Sequence, residues 1–218
     1  PISSGSVRSK QMTLRQKARE ATFTDDVVVQ LTPQPNAEAN GEPELETEVA
    51  ADRTDTTALF NTSNGPIHIN SHRLDINDTE RTALFTGSVR ARQADANLTT
   101  PELEVIYEGE GMMSAGAQTS GSESGRLRRI VAKKPVVMTR DNGDVVTSES
   151  ADFDALTSTA VLLGDVVMTS GEDRRATGDR VEMNEATGSI LLVGNVVVTQ
   201  GENELRGGRL EIDRVGMT

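Results

Sequence analysis

The 218-residue sequence has no cysteine and no tryptophan, one tyrosine (Tyr107) and four phenylalanines. Without thiols there are no disulfides, no thiolate nucleophile and no Cys-based zinc site, although the compartment is left open. With so few rings, the core must be built from Val, Leu, Ile, Met and Ala. No apolar run approaches the ~18 residues of a membrane-spanning helix. Positive charge is also scarce, with 22 Lys and Arg against 34 Asp and Glu and a formal net charge of -12. Such a chain repels nucleic acid and anionic membrane surfaces, which argues against a nucleic-acid partner. No Gly-rich phosphate loop precedes a helix and no catalytic arrangement is visible, so neither an enzyme nor a cofactor is expected. His68 and His72, four apart, lack a third ligand, so no metal site is expected. A chain that opens at Pro1 without a visible signal peptide reads as a processed or trimmed form.

What is present is repetition. The hexapeptide GNVVVT at 194–199 echoes GDVVMT at 164–169 and KPVVMT at 134–139, each 30 residues apart. Extended on both sides, the echo gives four ungapped segments starting at Ser9, Ser71, Ser148 and Gly178. Column by column they agree in character. A small residue comes first. Apolar residues stand fourth (Met12, Leu74, Ala151, Val181) and sixth (Leu14, Ile76, Phe153, Met183). The fifteenth column holds Phe23, Phe85, Leu162 and Leu192, and the nineteenth is Val throughout (Val27, Val89, Val166, Val196). Apolar columns two apart are strand periodicity, and polar turn formers such as NDTE at 77–80 separate the clusters. Each unit is therefore strand, turn, strand, with a period of about 30 residues. The stretch 12–21 has some helical character but aligns with strands in the other copies, and is read as strand.

Units with one apolar face must stack or fold over one another to bury it. The expected fold is all-β: an elongated β-jellyroll, or folded antiparallel sheet, with aliphatic residues inside and charged residues outside. Glycine before the valines (Gly87, Gly164, Gly194, with Asp25 in the first copy) predicts a bend at the same place in each rung. Long loops are expected near 32–44 and 109–125, where Pro, Gly, Ser and Glu dominate. Open terminal strands would leave unpaired backbone groups, one edge near the RLEIDR strand at 209–214, and so favour head-to-tail self-association.

Residues 65–89 (GPIHINSHRLDINDTERTALFTGSV), followed by LTTPELEVIY, resemble the OstA/LptA family of periplasmic lipopolysaccharide transport proteins. So does the later run DRVEMNEATGSILLVGNVVVTQGENELRGGRLEID. The resemblance covers 65–218. Residues 1–64 carry a divergent copy of the repeat, either an extra rung or the tail of an LptC-like relative. The family implies a β-jellyroll in the periplasm whose apolar interior shelters lipid A acyl chains of lipopolysaccharide. It also implies an LptC-type inner-membrane partner and an LptD-type outer-membrane partner; LptC, the LptD N-terminal domain and a non-transport β-solenoid are the competing readings.

An acidic protein does not attract the anionic lipid head, so the grip is expected from the chains, at ~0.8 kcal/mol per buried methylene. The candidate groove residues are the apolar columns: Ile67, Ile69, Leu74, Ile76, Phe85 and Val89, then Val105, Phe153, Leu162, Val166, Met183, Leu192 and Val196. Any stacked β domain has such columns as dry core, so lipid contact and packing compete as readings. The basic run RLRRIVAKK at 126–134 reads as a solvated face, as lysines guarding an exposed edge strand, or as a phosphate contact.

Overall fold

The computed structural model describes residues 6–31, 65–109, 126–184 and 187–212. The loops expected near 32–44 and 109–125 lie outside the described residues, apart from Gly109. Among these described residues twelve strands follow one another: β1 (Ser6–Arg8), β2 (Gln11–Arg15), β3 (Glu20–Leu31), β4 (Ile67–Asn77), β5 (Thr82–Gln93) and β6 (Ala96–Glu108). Then come β7 (Arg126–Arg140), β8 (Val145–Asp154), β9 (Thr159–Ser170), β10 (Arg174–Asn184), β11 (Ser189–Gln200) and β12 (Asn203–Ile212). The stretch 12–21 is strand at both ends, with one 3-10 turn at Gln16–Ala18. The strands form a single antiparallel sheet in chain order, and β1 and β2 both pair with β3 as one row broken at Ser9 and Lys10. Consecutive antiparallel pairing excludes a solenoid. The fold is all-β, an open antiparallel sheet folded on itself.

The register is interrupted once at mid-strand in every row from β3 onward, for example between Thr86 and Val89 and between Val193 and Val196. These aligned bulges bend the sheet into two leaves. The first leaf holds Ala83 and Phe85, the second Val89 and Ala91. With no other layer to cover the inner face, the leaves cover each other, and residues of both belong to one buried cluster.

Two devices make the bend. On alternate strands the corner residues take left-handed backbone, as at Gly194 (φ 77°) and Asn195 (φ 48°). A Cβ at Gly194 would also lie 2.8 Å from Asp179 Cγ on the next strand. Asp25 (φ 64°) adopts the conformation that glycine takes in the other copies, which Asp tolerates better than most residues. On the intervening strands a hydroxyl turns back on its own chain. Ser9 Oγ donates to Gln11 O at 2.8 Å, Ser71 Oγ to Arg73 O at 3.0 Å and Ser148 Oγ to Ser150 O at 3.0 Å. Thr100 Oγ1 stands 3.0 Å from Glu102 O and 2.5 Å from Lys133 O. Such bonds satisfy carbonyls near the disturbed ladder, which explains the small, hydroxyl-rich first column of the repeat.

The turns at the far end of the first leaf also recur. Asn77 Oδ1 accepts from the amides of Thr79 (3.0 Å) and Glu80 (3.1 Å), Asp154 Oδ1 from Leu156 (2.9 Å) and Thr157 (3.0 Å), and Asn184 Oδ1 from Thr187 (3.1 Å). A short Asx side chain in one repeat column thus reverses the chain three times.

Candidate functional site: an apolar cleft between the leaves

The inner face carries continuous ladders of apolar side chains, mostly aliphatic. One runs Leu14, Ala21, Ile76, Ala83, Val105, Ile130, Phe153, Ala160, Met183, Ile190, Ile212, one residue per row from edge to edge. A second joins Met12 to Leu210 through Phe23, Leu74, Phe85, Leu103, Ala132, Ala151, Leu162, Val181 and Leu192. On the second leaf a third passes from Val7 through Val29, Ile69, Ala91, Leu98, Met138, Val146, Met168, Ala176 and Val198 to Leu205.

Burial along the third ladder changes midway. Val29, Ile69, Ala91, Leu98 and Met138 are buried, whereas Val146, Met168, Ala176 and Val198 are only half-buried. The leaves therefore close over β3 to β7 and part from β8 onward. Residues at the outer tip of the second leaf supply the reason. In the closed half they include apolar Leu31 and buried Ile67; in the open half they are Asp144 and the row of Ser170, Arg174 and Gln200. Gln93, at the closed tip, is buried with its side-chain amide donating to Gly65 O at 2.8 Å; polar tips without such a partner lose too much by burial to seal the mouth.

The parted half holds a cleft of 210 Å³ lined by Met138, Val146, Met168, Ala176, Met183 and Val198, with Ser170, Arg174 and Gln200 among the residues at its mouth. That is smaller than the ~300–1,000 Å³ of a typical small-molecule pocket. It admits part of one aliphatic chain, and more only if the leaves move apart.

All thirteen expected groove residues lie on the inner face and are buried. Met183 alone among them lines the cleft; the other twelve pack in the core around it. The residues that line it and were not singled out are Met138, Val146, Met168, Ala176 and Val198. Their columns are apolar in every copy, and the residue two positions on gives no signal, being Gln93 in a closed rung and Gln200 in an open one.

The basic run lies on β7, a central strand, so the reading of it as an edge guard is wrong: a single ordered sheet leaves β7 paired with both β6 and β8. Four of its cations are answered across the sheet. Arg128 pairs with Glu108 at 2.8 Å, Arg129 Nε donates to Asp152 at 2.7 Å, Lys133 bonds Glu102 and Lys134 bonds Glu149. Hydrogen bonds to these carboxylates, with their charge, raise both lysines above the usual lysine range. Among the described acidic residues, Asp144 borders the cleft and one other departs from the outward pattern. Asp78 is buried, with Oδ1 receiving a 2.6 Å hydrogen bond from the Tyr107 phenol. Among the described residues no three His, Cys, Asp or Glu side chains are grouped to hold a metal. No helix among them is long and apolar enough to cross a membrane.

A family model described as LptA/(LptD N-terminal domain) LPS transport protein matches residues 68–216, well over half of the chain. The chain belongs to this LptA/LptD N-terminal family. The match begins one residue into β4 and takes in the whole cleft. A curated relative, an uncharacterized protein of Rhizobium meliloti (strain 1021), is 32% identical over 99 residues, which are 45% of this chain and 50% of the relative. The chain thus spans half the length of that relative. Among solved structures it is similar to LptH of Pseudomonas aeruginosa, described as the LptA homologous periplasmic component of the conserved lipopolysaccharide transport device. That likeness has 11% identity and a TM-score of 0.44, covering 68% of this chain and 95% of that one.

Proposed function

We propose that this protein is a periplasmic lipopolysaccharide carrier that shelters lipid A acyl chains between its two leaves and bridges inner and outer membranes. The observation that carries the reading is the uninterrupted aliphatic interior, which reaches both terminal rows and opens into a cleft on the way. In those rows the inner-face residues Met12 (57% exposed) and Leu14 (44%) at one end, and Leu205 (54%) and Ile212 (48%) at the other, are open to solvent. A dry structural sheet gains nothing from exposing its core at both edges, whereas a conduit needs that continuity. Each methylene taken up contributes ~0.8 kcal/mol, so a narrow cleft that holds part of a chain keeps binding weak enough for onward transfer.

Self-association follows from the same edges. Among the described residues the sheet has an odd number of rows, so β1–β2 and β12 run in the same direction. A second copy continuing the ladders sets Leu205 beside Val7, Leu210 beside Met12 and Ile212 beside Leu14, as a parallel strand pair. An LptC-type inner-membrane partner and an LptD-type outer-membrane partner would cap the two ends by the same edge pairing.

Photo-crosslinkers at Met168, Met183 and Phe85 test the reading. Lipopolysaccharide adducts are expected at the two cleft positions, and at Phe85 only if the closed half also opens. Equal labelling at the outward position Glu80 would sink the groove assignment.

A further inference from the structure

The mouth of the cleft has one cation placed unlike the others. Side chains alternate along β10, so Arg174 stands on the inner face with Ala176 and buried Gly178, while Arg175 alternates to the outer face and borders the cleft only beside it. Backbone pairing puts Arg174 in one row with Ser170 and Gln200, all three at the mouth of the cleft. One rung deeper the row is apolar: Met168, Ala176 and Val198.

The neighbouring inner-face cation, Arg140, is largely buried (side chain 9% exposed) and lies 3.8 Å from the carboxylate of Asp95. Across the outer face Arg128, Arg129, Arg180, Arg206 and Arg209 each pair with a carboxylate. Arg174 has no carboxylate within ion-pair distance among the described residues; Asp144, which also borders the cleft, accepts a 2.9 Å hydrogen bond from the Asn142 side-chain amide instead. In a chain of net charge -12, an unanswered guanidinium at the rim of an apolar cleft is not general surface polarity. It complements a ligand with an aliphatic tail and an anionic head, and a guanidinium matches phosphate oxygens by paired N–H donors.

We infer that Arg174 binds the phosphate of an anionic amphiphile whose chain enters the cleft toward Met183, so the ligand sits head-outward at the tip of the second leaf. This rests on the lipid-carrier reading and adds to it an orientation and a head-group selectivity. Ser170 and Gln200 flank Arg174 and supply neutral hydrogen-bonding groups to the same head.

Calorimetric titration of the whole chain below micelle-forming concentration tests it, with three probes: dodecyl phosphate, dodecyl maltoside and inorganic phosphate. Dodecyl phosphate should bind about tenfold more tightly than the maltoside, one charge-assisted contact's worth. Arg174→Gln should abolish that preference and leave maltoside binding in place, while Arg90→Gln, at an exposed outer-face cation on β5 that does not line the cleft, should keep it. An equal loss in both variants would mean bulk electrostatics and overturn the assignment, as would an unchanged preference in Arg174→Gln. Inorganic phosphate binding as tightly as dodecyl phosphate would make this a free-anion site and overturn the amphiphile. If neither chain-bearing probe binds the unsubstituted protein, the carrier reading itself fails, a result distinct from the loss of preference alone.

Discussion

The phenol of Tyr107, near the end of β6, donates a hydrogen bond to Asp78 Oδ1 in the β4–β5 turn at 2.6 Å, and both side chains are buried. The Asp78 amide in turn donates to Arg19 O at 3.0 Å. The first rows of the sheet are thus tied to the region matched by the family model at the far end of the first leaf. Tyr107→Phe removes the donor and leaves a buried polar oxygen less satisfied, at a cost of about 1–3 kcal/mol. Urea denaturation would measure it; a change below ~0.5 kcal/mol would show the contact to be incidental.

The corner glycine Gly194 predicts a second energetic contrast. Gly194→Ala forces a Cβ into left-handed backbone and against Asp179, for a loss of about 1–2 kcal/mol or more. Gly208→Ala, on edge strand β12 with nothing near the added carbon, should be neutral or slightly stabilising. Denaturation midpoints of the two variants should move apart.

Asp75 gives a pH prediction. Hydrogen bonds from Arg73 Nε (2.5 Å) and Nη2 (2.7 Å) hold its carboxyl below the usual range, helped by Thr22 and opposed by partial burial. A folded-state value below the unfolded value of ~3.9 stabilises the fold above that pH, and the contribution is lost as pH falls through the folded value. Arg73→Gln should therefore be less stable than the parent at pH 7, with the gap closing below about pH 4. A gap that persists at low pH would rule out the ion pair as its cause.

Filling the cleft should reduce lipid uptake. Ala176→Leu adds three carbons between Met168 and Val198. It displaces about three methylenes of ligand at ~0.8 kcal/mol each, a loss on the order of fiftyfold in affinity. Titration with dodecyl maltoside measures it, and unchanged binding would place the chain elsewhere.

The absence of native cysteine makes the proposed edge pairing directly testable. Mixed Leu14→Cys and Ile212→Cys proteins should form a heterodisulfide on mild oxidation, since paired strands bring Cα atoms within bridging range. Leu14→Cys with Leu205→Cys should not, because those residues end different ladders. The opposite pattern would refute the proposed register.

Much of this architecture was legible in the residues. The fixed interval of the Gly-x-Val-Val motif, the Asx turn column and the small first column each mark a backbone event repeated rung by rung. The bend at Gly87, Gly164 and Gly194 is where it was expected, and Asp25 makes the same bend without glycine. Cross-strand pairing of the basic run was not legible. Lys133 and Lys134 look like edge protection until β6 and β8 bring Glu102 and Glu149 beside them.

The cleft shows where local pattern stops being informative. Alternation decides which side chains face inward, because successive residues on a strand point to opposite faces; by that rule alone Ile67, Phe85, Met183 and Val196 belonged inside. It cannot decide how far apart two inward faces stand. That distance depends on residues far apart in the chain meeting across the fold and on whether the leaf tips can be buried: Leu31 and Ile67 close the sheet at one end, and Ser170, Arg174 and Gln200 hold it open at the other. Sequence periodicity determined the wall, and only the folding of one leaf onto the other decided where that wall has room for a ligand.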